Sequence, residues 1–307
     1  RMHPSMWVRG FFSNRLYLYP GVRDPALPYI SDARVHARMK QLNGRSAKAL
    51  AEDKSLFADA LVARGLGGTA PEVYGIITGG SFRPRSESAA RRVRDLPAVV
   101  VKPVAGAGGR GVRLVAGAEV ESYPAEPDVD LLVQEVLVQH PVLAAVNPAS
   151  LNTLRVLAVR LPGGPELVAA VHRWGTAATG AVDNVSAGGL CSHVDLATGV
   201  VGPAVGAPRG LQRVQHDEHP DTGARIAGLQ LPHWQEVREL VGALMSAFPE
   251  LDHVGWDLCV TGGGVRVVEA NATMPNPNIF QYHGPFATDP QVRRYYVDRG
   301  LLPAARG

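Results

Sequence analysis

Two carboxylates and an amide occur at a spacing that can hold a hard cation. Asp257 lies in Gly255-Trp256-Asp257, and Glu269 and Asn271 lie in Val267-Val268-Glu269-Ala270-Asn271. Side chains alternate along an extended strand, so Glu269 and Asn271 share a face. If the two runs pair about a turn centred near Gly263, Asp257 falls roughly opposite Glu269. Carboxylates that close repel unless a cation sits between them, and oxygen donors favour Mg2+ or Mn2+ over zinc. A solvent-facing acidic ribbon is the poorer reading, because Leu258, Val260, Val265, Val267 and Val268 flank the pair.

A second stretch asks for the same ligand. Gly106, Gly108 and Gly111 fit G-x-G-x-x-G, with Gly109 between them. A dinucleotide fold needs a helix directly after such a loop, whereas Val112-Arg113-Leu114-Val115 alternates as a strand. No Gly-Lys-Ser/Thr makes it a P-loop. What remains is a glycine-rich hairpin whose backbone N–H groups can lie over phosphates, with Lys102 ending the preceding apolar strand as an ammonium beside them. Magnesium commonly binds through one or two carboxylates plus substrate phosphates, so the two ribbons converge on one nucleotide.

The elements that must position these groups are legible as apolar runs. Residues 98–103, 112–116, 131–139, 153–160 and 166–174 read as strands, as do 254–260 and 265–271 joined at Thr261-Gly262-Gly263-Gly264. Residues 46–64 read as a helix, with Leu50, Phe57, Ala60 and Leu61 on one face and Gly65 as its stop. Residues 232–248 read as an amphipathic helix burying Val237, Leu240, Val241, Leu244, Met245 and Phe248. Residues 176–190 are loop, and 202–231 form a long connection. Hairpins outnumber βαβ crossovers, so the expected class is α+β.

Composition removes several alternatives. The chain has 307 residues, 46% hydrophobic and 19% charged, which excludes a disordered chain and supplies ample core. The balance of 31 basic against 28 acidic residues, net +3, gives no nucleic-acid footprint; the arginine-rich 83–94 is read as a solvated segment. No apolar run approaches the roughly 20 residues that span a bilayer, so no membrane partner is expected. No charged-then-apolar leader is visible, and Cys191 and Cys259 sit in apolar, strand-like contexts. Buried free thiols in a reducing cytoplasm are the expectation. The lone histidines read as structural or substrate-contacting rather than as a triad, and His216 and His219, lacking a third metal ligand, as loop-surface residues.

The order of these residues resembles the ATP-grasp superfamily: Lys54 in a helix, Lys102 with the glycine loop, Gln134-Glu135, Arg155, Asn184 before Gly188-Gly189, then Asp257, Glu269 and Asn271. Ser150-Leu151-Asn152-Thr153-Leu154-Arg155, His219-Pro220-Asp221-Thr222-Gly223 with Pro232-His233-Trp234, and Gly255-Trp256-Asp257 are similar to its sugar-transfer-associated branch.

The resemblance implies two α+β subdomains clamping ATP, with a reduced N-terminal segment: an extension over 1–45, a first subdomain over 46–128 with the glycine-rich hairpin, a second over 129–290 with the metal-binding strands, and a C-terminal tail over 291–307. Lys54, Lys102 and the glycine loop would meet the phosphates, and Gln134, Glu135, Val136 and Val138 the adenine end. Asp257, Glu269 and Asn271 would hold Mg2+. Arg155 and Arg173 would stabilise charge on the transferred phosphoryl group, with Asn184 near the phosphates or the acyl phosphate.

The activity implied is ligation of a small-molecule carboxylate to an amine through an acyl phosphate, with sugar-linked or amino-acid-like substrates. A phosphotransferase on the same scaffold and a non-catalytic nucleotide-binding regulator are the alternatives. Phosphoryl transfer is mainly positioning and charge neutralisation, which suits these residue types. Two departures stand out. Peptide-forming relatives often carry an acidic residue where this chain has Thr153, and the ribose contact has no acidic counterpart, Gln139 or His140 being in range.

Overall fold

The computed structural model describes residues 3–106, 108–126, 128–206 and 213–304. Two antiparallel sheets organise it. The first holds β1 (Val73–Thr78), β2 (Ser81–Pro84), β3 (Val99–Pro103), β4 (Arg113–Val115) and β5 (Leu131–Gln134), in the order β2-β1-β5-β3-β4. The second holds β6 (Leu154–Leu161), β7 (Gly164–Trp174), β8 (Leu190–Val194), β9 (Val201–Val205), β10 (Gln215–His216), β11 (His253–Thr261) and β12 (Gly264–Asn271), in the order β10-β9-β8-β7-β6-β11-β12. Every pairing between these strands is antiparallel, and helices cover the sheets, as expected for α+β. β11 is buried along nearly its whole length, which is why its sequence is apolar from Val254 to Val260 apart from Asp257.

Several expected boundaries move. The division between 128 and 129 falls one strand early: β5 inserts between β1 and β3, with Val101 opposite Val133, and so belongs to the first sheet. The run 131–139 is a strand only to Gln134. The expected helix over 46–64 is two helices, Arg45–Glu52 and Lys54–Ala63. Asp53 breaks them by turning extended and accepting the N–H groups of Ser55 and Leu56 at 2.9 Å, an N-cap that starts the second helix at Lys54. The segment over 291–307 is not a loose tail. The helix Pro290–Asp298 buries Val292, Tyr295 and Tyr296 in a core shared with Ile30, Met39 and Val159; residues 305–307 lie outside the described residues.

The long connection over 202–231 starts as β9 and then packs down; within it 207–212 lie outside the described residues. His219 is buried, with Nε2 2.7 Å from the Gly175 carbonyl oxygen and Nδ1 accepting the Asp221 N–H, so it anchors a loop. The same carbonyl accepts Asn147 Nδ2 at 2.8 Å, and Asn152 Oδ1 accepts the Gly175 N–H at 3.0 Å. A Cβ at Gly175 would lie 2.2 Å from Ser150 Oγ. The two sequence motifs around Ser150 and His219 therefore meet at one glycine and fix the start of the 176–190 loop.

On the opposite side of β7 from Arg173, His172 packs against Trp174 with ring centroids 4.1 Å apart and the rings tilted by 33°. Both its ring nitrogens are buried without a hydrogen-bond partner among the described residues. Burial pushes this imidazole down to about 3. The unfolded chain therefore takes up the proton first, and stability falls as pH drops from about 6.5 toward about 3. His172→Leu is expected to flatten that acid limb, read as urea midpoints between pH 7 and pH 4; an unchanged slope would contradict the assignment.

Candidate functional site

A cleft of about 660 Å³ lies between the two sheets. One wall comes from the first sheet, with Lys102 on β3 and the glycine loop that follows it. The facing wall is the row Arg173, Arg155, Asp257 and Glu269 on β7, β6, β11 and β12. Register builds that row: the Arg173 N–H donates to the Thr153 carbonyl at 2.8 Å, Asp257 pairs with Arg155, and Asp257 pairs with Glu269 across the hairpin. The expected opposition of Asp257 and Glu269 is present, with a different cause. The turn is the pair Gly262-Gly263, one half-step from the expected centre, and Val268 is an extra residue that shifts the register between Leu258 and Asp257.

The wall is a chain of opposite charges. Arg155 Nη2 donates to Asp257 Oδ2 at 2.9 Å, Arg155 Nε to Oδ1, and Arg155 Nη1 to the Pro275 carbonyl at 3.1 Å. Arg173 Nη2 donates to the same Asp257 Oδ2 at 3.1 Å. Burial alone would raise the Asp257 carboxyl, but Arg155 and Arg173 outweigh it and hold it at about 2. The arginines expected on a transferred phosphoryl group are thus, in this structure, counter-ions of Asp257. Burial works against charge on Arg173, yet Asp183, Asp257 and Glu269 together raise it.

Glu269 goes the other way, its carboxyl raised by burial and then by the Asp257 charge. Burial pushes Lys102 down to about 8 against the pull of Glu269. Lys54 Nζ donates to the Gly106 carbonyl at 2.7 Å and lies 3.8 Å from Glu269 Oε2, so it bridges the two ribbons.

The expected metal ligands stand together. Asn271 Nδ2 donates to the Gly255 carbonyl at 3.2 Å and to Glu269 Oε1 at 3.4 Å, which leaves Asn271 Oδ1 as an acceptor. Asp257 Oδ2 is filled by two guanidinium donors, while Oδ1 takes one and retains a lone pair. The donor chemistry fits a hard cation, with Glu269 the least neutralised member. No group of three or more His, Cys, Asp or Glu side chains suited to a metal occurs among the described residues, so any ion here depends on the amide as third ligand.

Gly106, Gly108, Gly109 and Gly111 all have positive φ, which explains the residue type. Two also make close approaches: a Cβ at Gly108 would lie 2.8 Å from Asn184 Nδ2, and one at Gly109 2.7 Å from Val182 Cγ1. Asn184 Nδ2 donates to the Gly108 carbonyl at 3.3 Å. Asn184 therefore touches the glycine loop.

At the other end Val100, Leu114, Leu137, Val138 and Ala144 make the cleft apolar, and Gln134, Glu135 and Val136 line it too. The Glu135 side chain is already engaged, however: Oε2 accepts Arg266 Nη2 at 3.0 Å and the Glu72 N–H at 3.1 Å. Both ribose candidates are engaged as well. Gln139 Nε2 donates to the carbonyls of Asn147 and Ser150, and His140 Nδ1 accepts the Val142 N–H as a helix cap.

Sequence reasoning missed Asp183. Its Oδ2 accepts the Thr153 N–H at 2.7 Å and the Thr153 hydroxyl at 2.6 Å, and lies 3.5 Å from Arg173 Nε. Its only sequence signal is a lone acid within an apolar and small-residue loop, directly before Asn184.

Residues 119–288 match the family described as sugar-transfer associated ATP-grasp. No curated protein matches. Among solved structures, the ATP-grasp ligase PsnB complexed with minimal precursor is similar at 14% identity and TM-score 0.45, over 84% of this chain and 64% of that one. D-alanine-D-alanine ligase from Coxiella burnetii is similar at 14% identity and TM-score 0.44, over 84% and 60%. N5-carboxyaminoimidazole ribonucleotide synthetase from Thermotoga maritima is similar at 14% identity and TM-score 0.46, over 90% and 57%. The match thus spans less than two thirds of the length of each of these three proteins.

Proposed function

This chain belongs to the sugar-transfer-associated ATP-grasp family, and on that premise we propose that it is an ATP- and Mg2+-dependent ligase that activates a carboxylate as an acyl phosphate and couples it to an amine. The observation that carries the reading is that Lys102 and the glycine loop share one cleft with Asp257, Glu269 and Asn271. Ammonium groups and a glycine-rich backbone on one wall suit phosphates; oxygen donors on the other suit their cation. Glu269, Asn271 and Asp257 would hold Mg2+, which would supply neutralisation of phosphate charge.

The chain's own part is positioning. Lys102 and Lys54 orient the phosphates, the apolar end receives the base, and Arg155 and Arg173 present fixed positive charge where the transferred group develops negative charge. The acid's oxygen bonds to the γ-phosphorus as the bond from that phosphorus to the β-phosphate oxygen breaks and ADP leaves. The amine nitrogen then bonds to the acyl carbon as its C–O bond to phosphate breaks, inorganic phosphate leaving and the nitrogen's proton passing to solvent. Met274, Asn276 and Ile279 line the cleft beside the metal strand and would shape the acid or amine subsite for a small, sugar-linked or amino-acid-like molecule.

The test is product analysis with ATP, Mg2+ and panels of 18O-labelled acids and of amines. The ligase releases ADP and phosphate carrying one labelled oxygen. Phosphate retained on an acceptor would instead establish a phosphotransferase, and ATP binding without turnover a regulator. Lys102→Ala is expected to weaken ATP binding about tenfold or more in calorimetry, since it removes a buried ammonium from the phosphate wall; unchanged affinity would remove Lys102 from that role.

A further inference from the structure

We propose that Val182, Asp183 and Asn184 couple seating of the glycine loop to alignment of Arg173, with Asp183 the positioning residue. The inference rests on the nucleotide reading above. Three consecutive residues face two different parts of the site. Val182 lies under Gly109 and Asn184 bonds the Gly108 carbonyl, so the tripeptide is the seat of the glycine loop on the second sheet. Between them, Asp183 turns to the strand wall and accepts both the N–H and the hydroxyl proton of Thr153.

That second bond sets the direction of a relay. A hydroxyl has one proton. Because Thr153 gives its proton to Asp183, its oxygen presents lone pairs to Arg173, whose Nε donates at 3.0 Å and whose Nη2 donates as well. Arg173 is therefore held from two sides, by Thr153 with Asp183 and by Asp257. Removing Asp257 takes one of two carboxylates from Arg173; removing Asp183 takes the other together with the acceptor that fixes the Thr153 hydroxyl, so the charge stays paired with Asp257 while its plane is free to turn. Asp183 thus pairs with the Arg173 charge and, through Thr153, also orients its plane. A loop anchored at both ends also transmits: a shift of Val182 or Asn184 as the glycine loop docks moves the carboxylate between them.

The test uses the full chain and two probes that need no knowledge of the acid or amine. MgADP alone reports nucleotide binding, and MgADP with aluminium fluoride mimics the phosphoryl group in flight. In calorimetry the wild type is expected to bind the fluoride complex about a hundredfold more tightly than MgADP. Asp183→Asn is expected to leave MgADP affinity within about twofold and to reduce the fluoride enhancement about tenfold. Thr153→Val should show the same deficit, Thr153→Ser should restore it, and Thr153→Val with Asp183→Asn should be no worse than either alone, because the two act as one unit.

From the loop side, Asn184→Ala leaves the Thr153 bonds in place and is expected to raise the rate of trypsin cleavage after Arg110 about threefold, followed by mass spectrometry. Asp183→Asn should raise it too, since coupling is reciprocal. Full enhancement in a folded Asp183→Asn, additive losses in the double variant, or cleavage after Arg110 unaffected by either change would overturn the coupling. A wild type that binds no MgADP would overturn the nucleotide reading itself and the coupling with it.

Discussion

Asp257→Ala is expected to lower the stability of the metal-free protein by about 3–5 kcal/mol, read as a fall in urea midpoint, because it strips the shared counter-ion from two buried guanidinium groups. A residue that served only as a metal ligand would behave differently: without metal, its removal would relieve repulsion from Glu269 and cost little. The geometry decides between these outcomes. Asp257 accepts from Arg155 through both oxygens and from Arg173 through one, and all three side chains are nearly enclosed. Asp257→Asn keeps one acceptor and should lose less. Wild-type stability for Asp257→Ala in the absence of divalent cation would show that the arginines find other partners, and the charge chain across β6, β7 and β11 would have to be abandoned.

Glu269→Gln is expected to do the reverse: raise the melting temperature by a few degrees at neutral pH while reducing ATP turnover about 10²–10³-fold. Burial and the neighbouring Asp257 raise the Glu269 carboxyl, so the folded state binds its proton more readily than the unfolded chain does. Stability then falls as pH rises through and above the ordinary carboxylate range, and the ionised group is a net burden at pH 7. The amide removes that burden, so its advantage should grow with pH and vanish in acid, where Glu269 is protonated in both states. The same change should abolish any rise in melting temperature produced by Mg2+ in the wild type. A variant that is both less stable and still responsive to Mg2+ would remove Glu269 from the cation site.

Much of the local structure was legible because it rests on periodicity. The alternation that makes β12 a strand also puts Glu269 and Asn271 together, and the valine run before Lys102 marks a strand end whatever it pairs with. Sheet membership was less legible. β5 follows β4 in the chain but lies between β1 and β3, and nothing in Leu131-Leu132-Val133-Gln134 encodes that distant choice. Side-chain partners were least legible. Glu135 has the position expected of a base contact, yet Arg266, far along the chain, takes its oxygen. Arg155 and Arg173 read as phosphate contacts from their order alone, whereas their register partners reveal the carboxylate they share. Asp183 gave no pattern because its role depends on a loop folding back on Thr153.

The extra residue at Val268 has one further effect. Val267 belongs to the apolar core and Glu269 to the cleft, although two residues apart on an uninterrupted ribbon they would look the same way. The irregularity acts as a phase reset that isolates the ligand end of the hairpin from its tip. Lineages could lengthen or shorten the Gly262-Gly263 corner without disturbing the carboxylates. Because Val268 is the unpaired residue, its loss would leave Glu269 opposite Asp257 and still facing away from Val267, whereas loss of Ala270 would turn Asn271 away from the face it shares with Glu269.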